Sequence, residues 1–342
     1  MMTPLYRGSV KDIYKDGDDL LFKYSNRYSV FDWGEMPNEI PQKGEALAAL
    51  AGLFFDYLKE QGVDSHYIKQ TEKDAITVRE VSVLRPHWEN GVYDYSVYGD
   101  QPTNCLVPLE VIFRILLGKG NSLEGRLKKN PTYLTELGLS KIPDSSIEFR
   151  PPLVECSTKL ETTDRYLTRE EIREMSIIHE AELEQVRRLT QDIALHLERL
   201  MSSFGVKLWD GKFEFAFGAK QNSGLRSLFL VDSIGPDELR LTYEGAPLSK
   251  EFLRQIYAPT SWYKAVAQAK DLAKERGTNN WKEICASELK EVPQELNREQ
   301  IEMASLLYKA LANEVAMAMH RPTPFEKEAN LKIWRQKCGS LL

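Results

Sequence analysis

The chain has 342 residues, 42% of them hydrophobic and 28% charged, with a formal net charge of −6, as expected for a globular protein of one large domain or two. This negative balance disfavours nucleic acid as the main partner, because binding a phosphate backbone needs concentrated Lys and Arg. The four cysteines are scattered and form no CxxC pair, which disfavours a disulfide framework and a zinc site. The sequence has no apolar run near 18 residues and starts without an apolar leader, which disfavours membrane insertion. We therefore expect a cytoplasmic protein.

The amino-terminal part predicts a β-hairpin and then a helix. Residues 5–14 and 20–24 are strand-like, and the Asp-Gly-Asp turn at residues 16–18 between them is a strong hairpin signal. Leucines and a phenylalanine recur at helical spacing from residue 45 to about residue 61, where a glycine follows. Residues 67–69 and 75–84 predict a further pair of strands.

A turn inside the first strand-like segment has the residue types that bind anions. Gly8 lets backbone amides approach a phosphate closely, while Ser9 and Lys11 add a hydroxyl donor and a cation. Glycine-serine turns beside a surface lysine are also common where no ligand binds. The pattern by itself therefore leaves both interpretations open.

A strongly apolar strand predicted at residues 106–117 carries two charges, Glu110 and Arg114. Charges are costly in a buried strand unless they are paired or bind a ligand, so we expect salt bridges, with each other or with a neighbour, or a site. Residues 118–126, which follow, are rich in glycine and basic side chains. They predict a second anion-binding segment.

Residues 127–203 predict a loop-rich part and then a long helix. Prolines are frequent in the first part, where only residues 155–160 predict a short strand. Thr168, with Glu171 three residues later, forms a capping box that begins a helix expected to continue to about Ser203.

The stretch from residue 208 to residue 240 predicts two adjacent strands joined by a polar turn. Asp210, Lys212 and Glu214 alternate with glycine and phenylalanine, so an extended strand places all three charges on one face. The second strand ends on Asp232, which can lie beside Glu214 at the edge of the sheet. Such paired carboxylates suit a magnesium ion that bridges phosphate oxygens. A solvated hairpin face shows the same alternation, so both interpretations stay open.

The carboxyl-terminal part predicts helices. Ser249 is a candidate N-cap, residues 262–275 and 298–319 are amphipathic, and the tail from His320 is expected to be a flexible or docking end. The chain therefore predicts an α+β fold. Its three expected regions are antiparallel and β-rich (residues 1–105), mixed (106–245) and helical (246–342).

Several segments in order resemble the SAICAR synthetase family. They are RGSVKDIY at residues 7–14, NRYSVFD at 26–32, IPQKG at 40–44, VPLEVIFR at 107–114, STKLE at 157–161, DGKFEF at 210–215 and PDELR at 236–240, with Lys250 to Arg254 as the last. The resemblance implies a SAICAR synthase-like fold. In it the first region binds nucleotide, and the mixed region binds substrate and metal and is related to ATP-grasp and lipid-kinase cores.

The resemblance also implies a reaction. In this family ATP activates an imidazole-nucleotide carboxylate (CAIR) to an acyl phosphate, and the amine of L-aspartate displaces phosphate to form an amide in de novo purine biosynthesis. The implied cofactors are ATP as co-substrate and Mg²⁺, and the implied partners are these small molecules. The sequence leaves homo-oligomerisation open.

The resemblance implies roles for individual residues. Gly8, Ser9 and Lys11 would belong to the loop that covers the ATP phosphates, and Glu214 and Asp232 would hold Mg²⁺. The catalytic residues would be Lys11, Asp210 and Lys212, and the substrate-binding residues would be Arg114, Ser122, Arg126, Asp237, Arg240, Lys250 and Arg254.

The chain departs from the family pattern near the implied acceptor site. Ser233 replaces an acidic residue, Glu238 and Leu239 replace two serines, the turn after Arg114 is longer, and Asn26 replaces an aspartate. These departures predict retained ATP and magnesium binding with an altered acceptor pocket. Three alternatives therefore stay open: a paralogue that joins a different carboxylate and amine, a phosphotransferase, and a non-catalytic nucleotide-binding protein.

Overall fold

The computed structural model describes residues 4–118, 122–144 and 147–339. Its strands are β1 (Tyr6–Arg7), β2 (Lys11–Asp16), β3 (Asp19–Tyr24), β4 (Tyr67–Glu72), β5 (Ala75–Arg79), β6 (His87–Glu89), β7 (Val92–Asp94), β8 (Cys105–Leu106), β9 (Leu109–Leu116), β10 (Glu148–Thr158), β11 (Tyr166–Leu167), β12 (Val206–Lys220), β13 (Arg226–Val231), β14 (Leu239–Tyr243) and β15 (Ala246–Pro247). Its helices are α1 (Lys43–Glu60), α2 (Ser122–Lys129), α3 (Pro131–Glu136), α4 (Arg169–Glu174), α5 (Glu180–Ser202), α6 (Lys250–Tyr257), α7 (Ser261–Glu275), α8 (Trp281–Glu283), α9 (Arg298–Ala318) and α10 (Leu331–Cys338). None of the helices in these described ranges is long and apolar enough to span a membrane.

The chain divides into two compact units whose segments alternate in sequence. Unit 1 comprises Met1–Leu53, Lys69–Val78 and Thr242–Leu342, and unit 2 comprises Phe54–Ile68 and Arg79–Leu241. This division differs from the three consecutive regions expected from the sequence. The functions assigned to those three regions stay predictions. Each unit is described by itself below.

Unit 1 contains a five-stranded sheet in the order β1-β2-β3-β5-β4. The predicted hairpin is confirmed, because Asp16 pairs with Asp19 and Gly17 between them has a φ of +62°. That left-handed conformation strains residues other than glycine.

The carboxyl-terminal tail of unit 1 is helical and packed. Leu331, Trp334 and Cys338 of α10 are buried, and the amide of Asn313 on α9 donates a 2.8 Å hydrogen bond to the backbone oxygen of Ala329. Of the two expected alternatives, a flexible or a docking end, the structure shows docking as far as residue 339, where α10 packs against α9 of the same unit.

Unit 2 is built on a sheet in which β11, β10, β9, β12 and β14 are neighbours in that order, with β13 and β8 also paired to β12. Helix α5 packs on β9, β10 and β12. Its predicted apolar stripe is confirmed as core, since these side chains are buried: Leu183, Val186, Ile193, Leu197 and Leu200.

The long helix predicted from Thr168 is two helices. The capping box of Thr168 and Glu171 is confirmed at the start of α4, but α4 ends at Glu174 and Ser176 has a φ of +53°. A second capping box then starts α5, where His179 is the N-cap and Glu182 accepts its backbone N–H at 3.0 Å. Local capping thus interrupts a helical pattern that continues on both sides of the break.

The loop-rich prediction for residues 127–167 is wrong in two places. Helices α2 and α3 extend to Glu136, and β10 has 11 residues instead of a short strand at residues 155–160. The register of β10 against β9 shifts between Glu148 and Leu153, and Pro151 and Pro152 lie inside that irregularity. A proline there removes no regular ladder hydrogen bond, so the strand tolerates both.

Candidate active site

The strand register of unit 2 gathers the predicted charges on one face of its sheet. Arg114 pairs with Asp210, and Ile112 pairs with both Lys212 and Glu155. Because side chains alternate along a strand, these charged residues share a face with two further carboxylates on the same strands, Glu110 and Glu214. The predicted common face of Asp210, Lys212 and Glu214 is confirmed.

Glu110 and Glu214 are linked by lysines on this face. Lys212 Nζ lies 2.6 Å from Glu110 Oε1, and Lys159 Nζ lies 3.1 Å from the same oxygen and 2.6 Å from Glu214 Oε1. Burial alone would raise the pKa of Glu110, but the charges of Lys212 and Lys159 outweigh it and hold the pKa below its usual value. Burial would lower the pKa of Lys159 and of Lys212, but the neighbouring carboxylates outweigh it and raise both values, so both lysines remain cations at the centre of the face.

Glu214 and Asp232 form the predicted carboxylate pair. Glu214 pairs with Val231, so the next residue, Asp232, follows directly at the end of β13. Glu214 is buried, and burial together with the charge of Asp232 raises its pKa to about 7, although Lys159 opposes the shift. Two carboxylates that disfavour each other's charge in this way suit a divalent cation.

The donor set is compatible with Mg²⁺ in particular. In the described part of the chain no three His, Cys, Asp or Glu side chains converge as a metal cluster. Magnesium commonly takes one or two carboxylates and completes its coordination with water and substrate phosphate oxygens. Glu214 and Asp232 therefore fit a magnesium ion that arrives with a phosphorylated substrate, and do not form a complete protein cage.

The backbone of Asp232 is held in an unusual conformation by a residue that sequence reasoning missed. Asp232 has a φ of +67°, and its backbone oxygen lies 2.9 Å from Nε2 of the buried His66. The backbone N–H of His66 also donates to Leu230 at 2.9 Å. Left-handed backbone outside glycine is uncommon and persists where the surroundings enforce it. Nothing local in the sequence around His66 signals this contact.

Asp210 lies between two of the predicted substrate-binding arginines. Its Oδ2 is 3.6 Å from Arg114 Nη1 and its Oδ1 is 3.5 Å from Arg240 Nε. The Arg114 side chain is only 4% exposed, whereas that of Arg240 is 35% exposed. One carboxylate therefore holds a buried arginine and an accessible one at the same place on the sheet.

Arg114 and Arg126 meet at a second residue that sequence reasoning missed. Glu155 accepts hydrogen bonds from Arg114 Nε at 2.6 Å, from Arg126 Nη2 and from the Tyr133 hydroxyl at 3.0 Å. Glu155 is a single charge within the apolar run of β10, next to Val154. A charge inside an apolar strand is the criterion that singled out Glu110 and Arg114, and the same criterion would have identified Glu155.

The candidate ATP loop belongs to unit 1, on the turn between β1 and β2. The Gly8 N–H donates to the backbone oxygen of Lys11 at 2.9 Å, and a Cβ on Gly8 would lie 2.7 Å from that oxygen, so only glycine fits. The buried Arg27 holds the turn by donating to the Gly8 oxygen at 3.0 Å and to Asp12. Ser9 is exposed beside them.

The remaining predicted site residues belong to elements of both units. Lys250 and Arg254 lie on α6 in unit 1, where Ser249 is confirmed as the N-cap and Arg254 Nη1 is 3.2 Å from Glu251. Asp237 precedes β14 in unit 2. Ser122 is the first residue of α2, but its side chain lies outside the described residues, as do residues 119–121 of the predicted second anion-binding segment.

Leu239 does not face the substrate side of the sheet. It is 3% exposed, and its Cδ2 would lie 2.6 Å from a Cβ placed on Gly211. The interpretation that Leu239 alters the acceptor pocket is therefore wrong, because the side chain fills the space that Gly211 leaves on the opposite face. Glu238 accepts the Lys212 N–H through its backbone oxygen at 3.2 Å.

The sequence of this chain is similar to those of known proteins. The sequence profile of the SAICAR synthetase family matches residues 4–270. A protein of Archaeoglobus fulgidus is 36% identical over 321 residues, covering 90% of this chain and 91% of its own length. The phosphoribosylaminoimidazole-succinocarboxamide synthase of Thermoplasma acidophilum is 32% identical over 277 residues, covering 79% and 88%.

Solved structures show the same fold at lower identity. The SAICAR synthase of Saccharomyces cerevisiae, solved with SAICAR, aligns with a TM-score of 0.62 and 21% identity over 92% of this chain and 95% of its own. A SAICAR synthetase solved with ADP aligns with a TM-score of 0.55 and 22% identity over 73% and 89%. The SAICAR synthase-like fold, with mixed helices and antiparallel strands, is thereby established, and this chain belongs to the SAICAR synthetase family.

Proposed function

We propose that the protein is an ATP- and Mg²⁺-dependent ligase that joins CAIR to L-aspartate and forms SAICAR in purine biosynthesis. The single observation that carries this proposal is the composition of strand β12. Asp210 on this strand holds two arginines, Lys212 faces Glu110, and Glu214 lies beside Asp232. One strand thus carries in succession a carboxylate that holds two candidate phosphate-binding arginines, a cation and a candidate metal-binding carboxylate.

The chemistry needs charge neutralisation and positioning without a nucleophilic side chain. A carboxylate oxygen of CAIR attacks the γ-phosphorus of ATP, and ADP leaves. The amine nitrogen of aspartate then attacks the acyl carbon, the C–O bond to phosphate breaks, and the nitrogen loses a proton as the amide forms. Lys212 and Lys159, held as cations by Glu110, would stabilise the negative oxygens in both steps.

The ATP phosphates and the metal ion would be bound by two separate groups of residues. Gly8, Ser9 and Lys11 would cover the ATP phosphates, and the exposed position of Ser9 on this tight turn leaves its hydroxyl accessible to a phosphate. Glu214 and Asp232 would hold Mg²⁺, which when bound neutralises phosphate oxygens.

Arginines and nearby polar groups would bind the acceptor. Asp210 would orient Arg114 and Arg240 toward the acceptor phosphate, with further contacts from Arg126, Ser122, Asp237, Lys250 and Arg254.

We also propose that the mixed sheet is related to ATP-grasp and lipid-kinase cores, on the grounds of a sheet face that carries both cations and metal-binding carboxylates.

Product analysis tests this function directly. The purified chain is incubated with Mg²⁺-ATP and with CAIR, aspartate or both, and ADP, phosphate and SAICAR are measured. We expect all three products only when both acceptor substrates are present. ADP formation without amide would indicate a phosphotransferase, and no turnover of the complete mixture would overturn the proposal.

A further inference from the structure

Glu155 accepts hydrogen bonds at the centre of a buried network and lies outside the segments that carry the family resemblance. Its side chain is 0% exposed, and its donors come from three different elements: Arg114 on β9, Arg126 on α2 and Tyr133 on α3. The two oxygens are divided between them, since Arg114 uses Oε2 while Arg126 and Tyr133 share Oε1. A single carboxylate thus determines the relative orientation of two guanidinium groups.

The second arginine is held from both sides. The Arg126 guanidinium carbon lies 3.4 Å from the centroid of the Tyr166 ring, so the group is stacked on an aromatic face as well as hydrogen-bonded to Glu155. Tyr133 belongs to a buried apolar cluster with Leu123 and Leu127 of α2. The helix that carries Arg126 is therefore anchored at the same point as the carboxylate that receives it.

The arginines of this network are held by carboxylates, and two of them stay partly exposed. Glu155 holds Arg114 and Arg126, and Asp210 holds Arg114 and Arg240. The Arg114 side chain is 4% exposed, whereas that of Arg126 is 22% and that of Arg240 is 35% exposed. Preorganised arginines that remain partly exposed are suited to a phosphate monoester.

We propose that Glu155 is a positioning residue for the phosphate group of the acceptor nucleotide, acting through Arg114 and Arg126. The inference rests on the proposed function, because the ligand is the acceptor of that reaction. Glu155 does not touch the substrate. It holds the two guanidinium groups in the orientation that receives the phosphate, Arg114 through Oε2 and Arg126 through Oε1, which also accepts the Tyr133 hydroxyl.

The test compares CAIR with its 5′-dephosphorylated nucleoside. For the unaltered protein and for Glu155→Gln, kcat/KM is measured with each acceptor at saturating ATP and aspartate. Glu155→Gln keeps the shape of the side chain but presents an amide N–H₂ to the arginines. We expect the preference for CAIR over the nucleoside to fall by about tenfold or more, while KM for ATP changes little.

A matched control separates positioning from general loss of stability. Glu182 is another buried carboxylate of unit 2 paired with an arginine, Arg226, and it belongs to no candidate site. Glu182→Gln should lower stability and leave the CAIR-to-nucleoside preference unchanged. Tyr133→Phe removes only one hydroxyl from Glu155, and it should lower the preference in the same direction by a smaller factor.

The outcomes are distinct. Turnover of CAIR by the unaltered protein, with an unchanged preference in Glu155→Gln, would overturn this inference alone. No turnover by the unaltered protein would overturn the proposed function and the inference with it. If Glu155→Gln does not fold, the preference of Tyr133→Phe decides, and a value equal to that of the unaltered protein counts against the inference.

Discussion

Glu182 and Arg226 form an ion pair in which both side chains are only 1% exposed, with 2.7 Å between Glu182 Oε2 and Arg226 Nη2. Glu182 Oε1 also accepts the Arg226 backbone N–H at 2.7 Å, and the guanidinium carbon lies 3.3 Å from the centroid of the Phe217 ring. This pair ties α5 to the start of β13, the strand that leads to Asp232. A contact between residues 44 positions apart in sequence thus fixes the start of β13.

Removing one partner should destabilise the protein strongly. Glu182→Gln leaves the buried Arg226 without its countercharge, and we expect a loss of about 3–5 kcal/mol in the free energy of unfolding near neutral pH. Urea denaturation of the variant and the unaltered protein measures the difference. A loss under about 1 kcal/mol would show that the pair is not a main determinant of stability.

The same pair predicts a pH dependence. Burial would raise the pKa of Glu182, but hydrogen bonds and the charge of Arg226 outweigh it and lower the pKa below its ordinary value of 4.5. Since the folded-state pKa is depressed, the contribution is complete above pH 4.5 and disappears as the pH falls through the folded-state value. The difference between Glu182→Gln and the unaltered protein should therefore shrink below pH 4.5, and a constant difference would contradict the assignment.

Gly211 should not tolerate a side chain. A Cβ there would lie 2.6 Å from Leu239 Cδ2 and 2.8 Å from Phe113, so Gly211→Ala should cost about 1–3 kcal/mol through overpacking. Gly125→Ala is the control, because Gly125 is an exposed helical position with no atom within 4 Å of the new methyl group. It should be neutral or stabilising by up to about 1 kcal/mol. Thermal unfolding of both variants compares the two sites.

The metal assignment predicts parallel losses at two carboxylates. Glu214→Gln and Asp232→Asn should each lower kcat by about 10²–10³-fold, because each removes a negative ligand that neutralises Mg²⁺ beside the phosphates. Titration of activity with Mg²⁺, and binding of Mn²⁺ followed by electron paramagnetic resonance, measure the effect. Asp64→Asn is the control: it alters an exposed carboxylate of unit 2, paired with Arg79, and should behave as the unaltered protein. Unchanged metal binding in both site variants would contradict the assignment of Glu214 and Asp232 as metal ligands.

Arg240 should not be replaceable by lysine. Its Nε faces Asp210 while part of the guanidinium remains exposed, so a bidentate contact with phosphate is available to arginine and not to lysine. We expect Arg240→Lys to raise KM for CAIR by about tenfold with KM for ATP unchanged. Steady-state kinetics with each substrate varied in turn provides the measurement, and equal KM values for CAIR would argue against a phosphate contact.

The candidate ATP loop predicts a separate effect in unit 1. Gly8→Ala places a methyl group 2.7 Å from the Lys11 backbone oxygen, so the turn must open. KM for ATP should rise by about tenfold, while binding of CAIR in the absence of ATP remains unchanged. Isothermal titration calorimetry with each ligand separates the two expectations. A selective loss of CAIR binding would contradict the assignment of this loop to ATP.

The sequence by itself determined the features that depend on neighbours along the chain. The hairpin at Gly17, the caps at Thr168 and Ser249 and the common face of Asp210, Lys212 and Glu214 follow from turn chemistry, capping and the period of a strand. The ordered segments of the SAICAR synthetase family also carried the implied chemistry.

Only the tertiary structure decided which charges meet. Glu110 pairs with Lys159 and Lys212, and Arg114 pairs with Glu155 and Asp210, because the register of β10 and β12 against β9 selects those partners. The burial of Leu239 against Gly211 likewise depends on a neighbouring strand. Local pattern specifies the face on which a side chain lies, whereas its partner across the sheet is set by register and packing between distant segments.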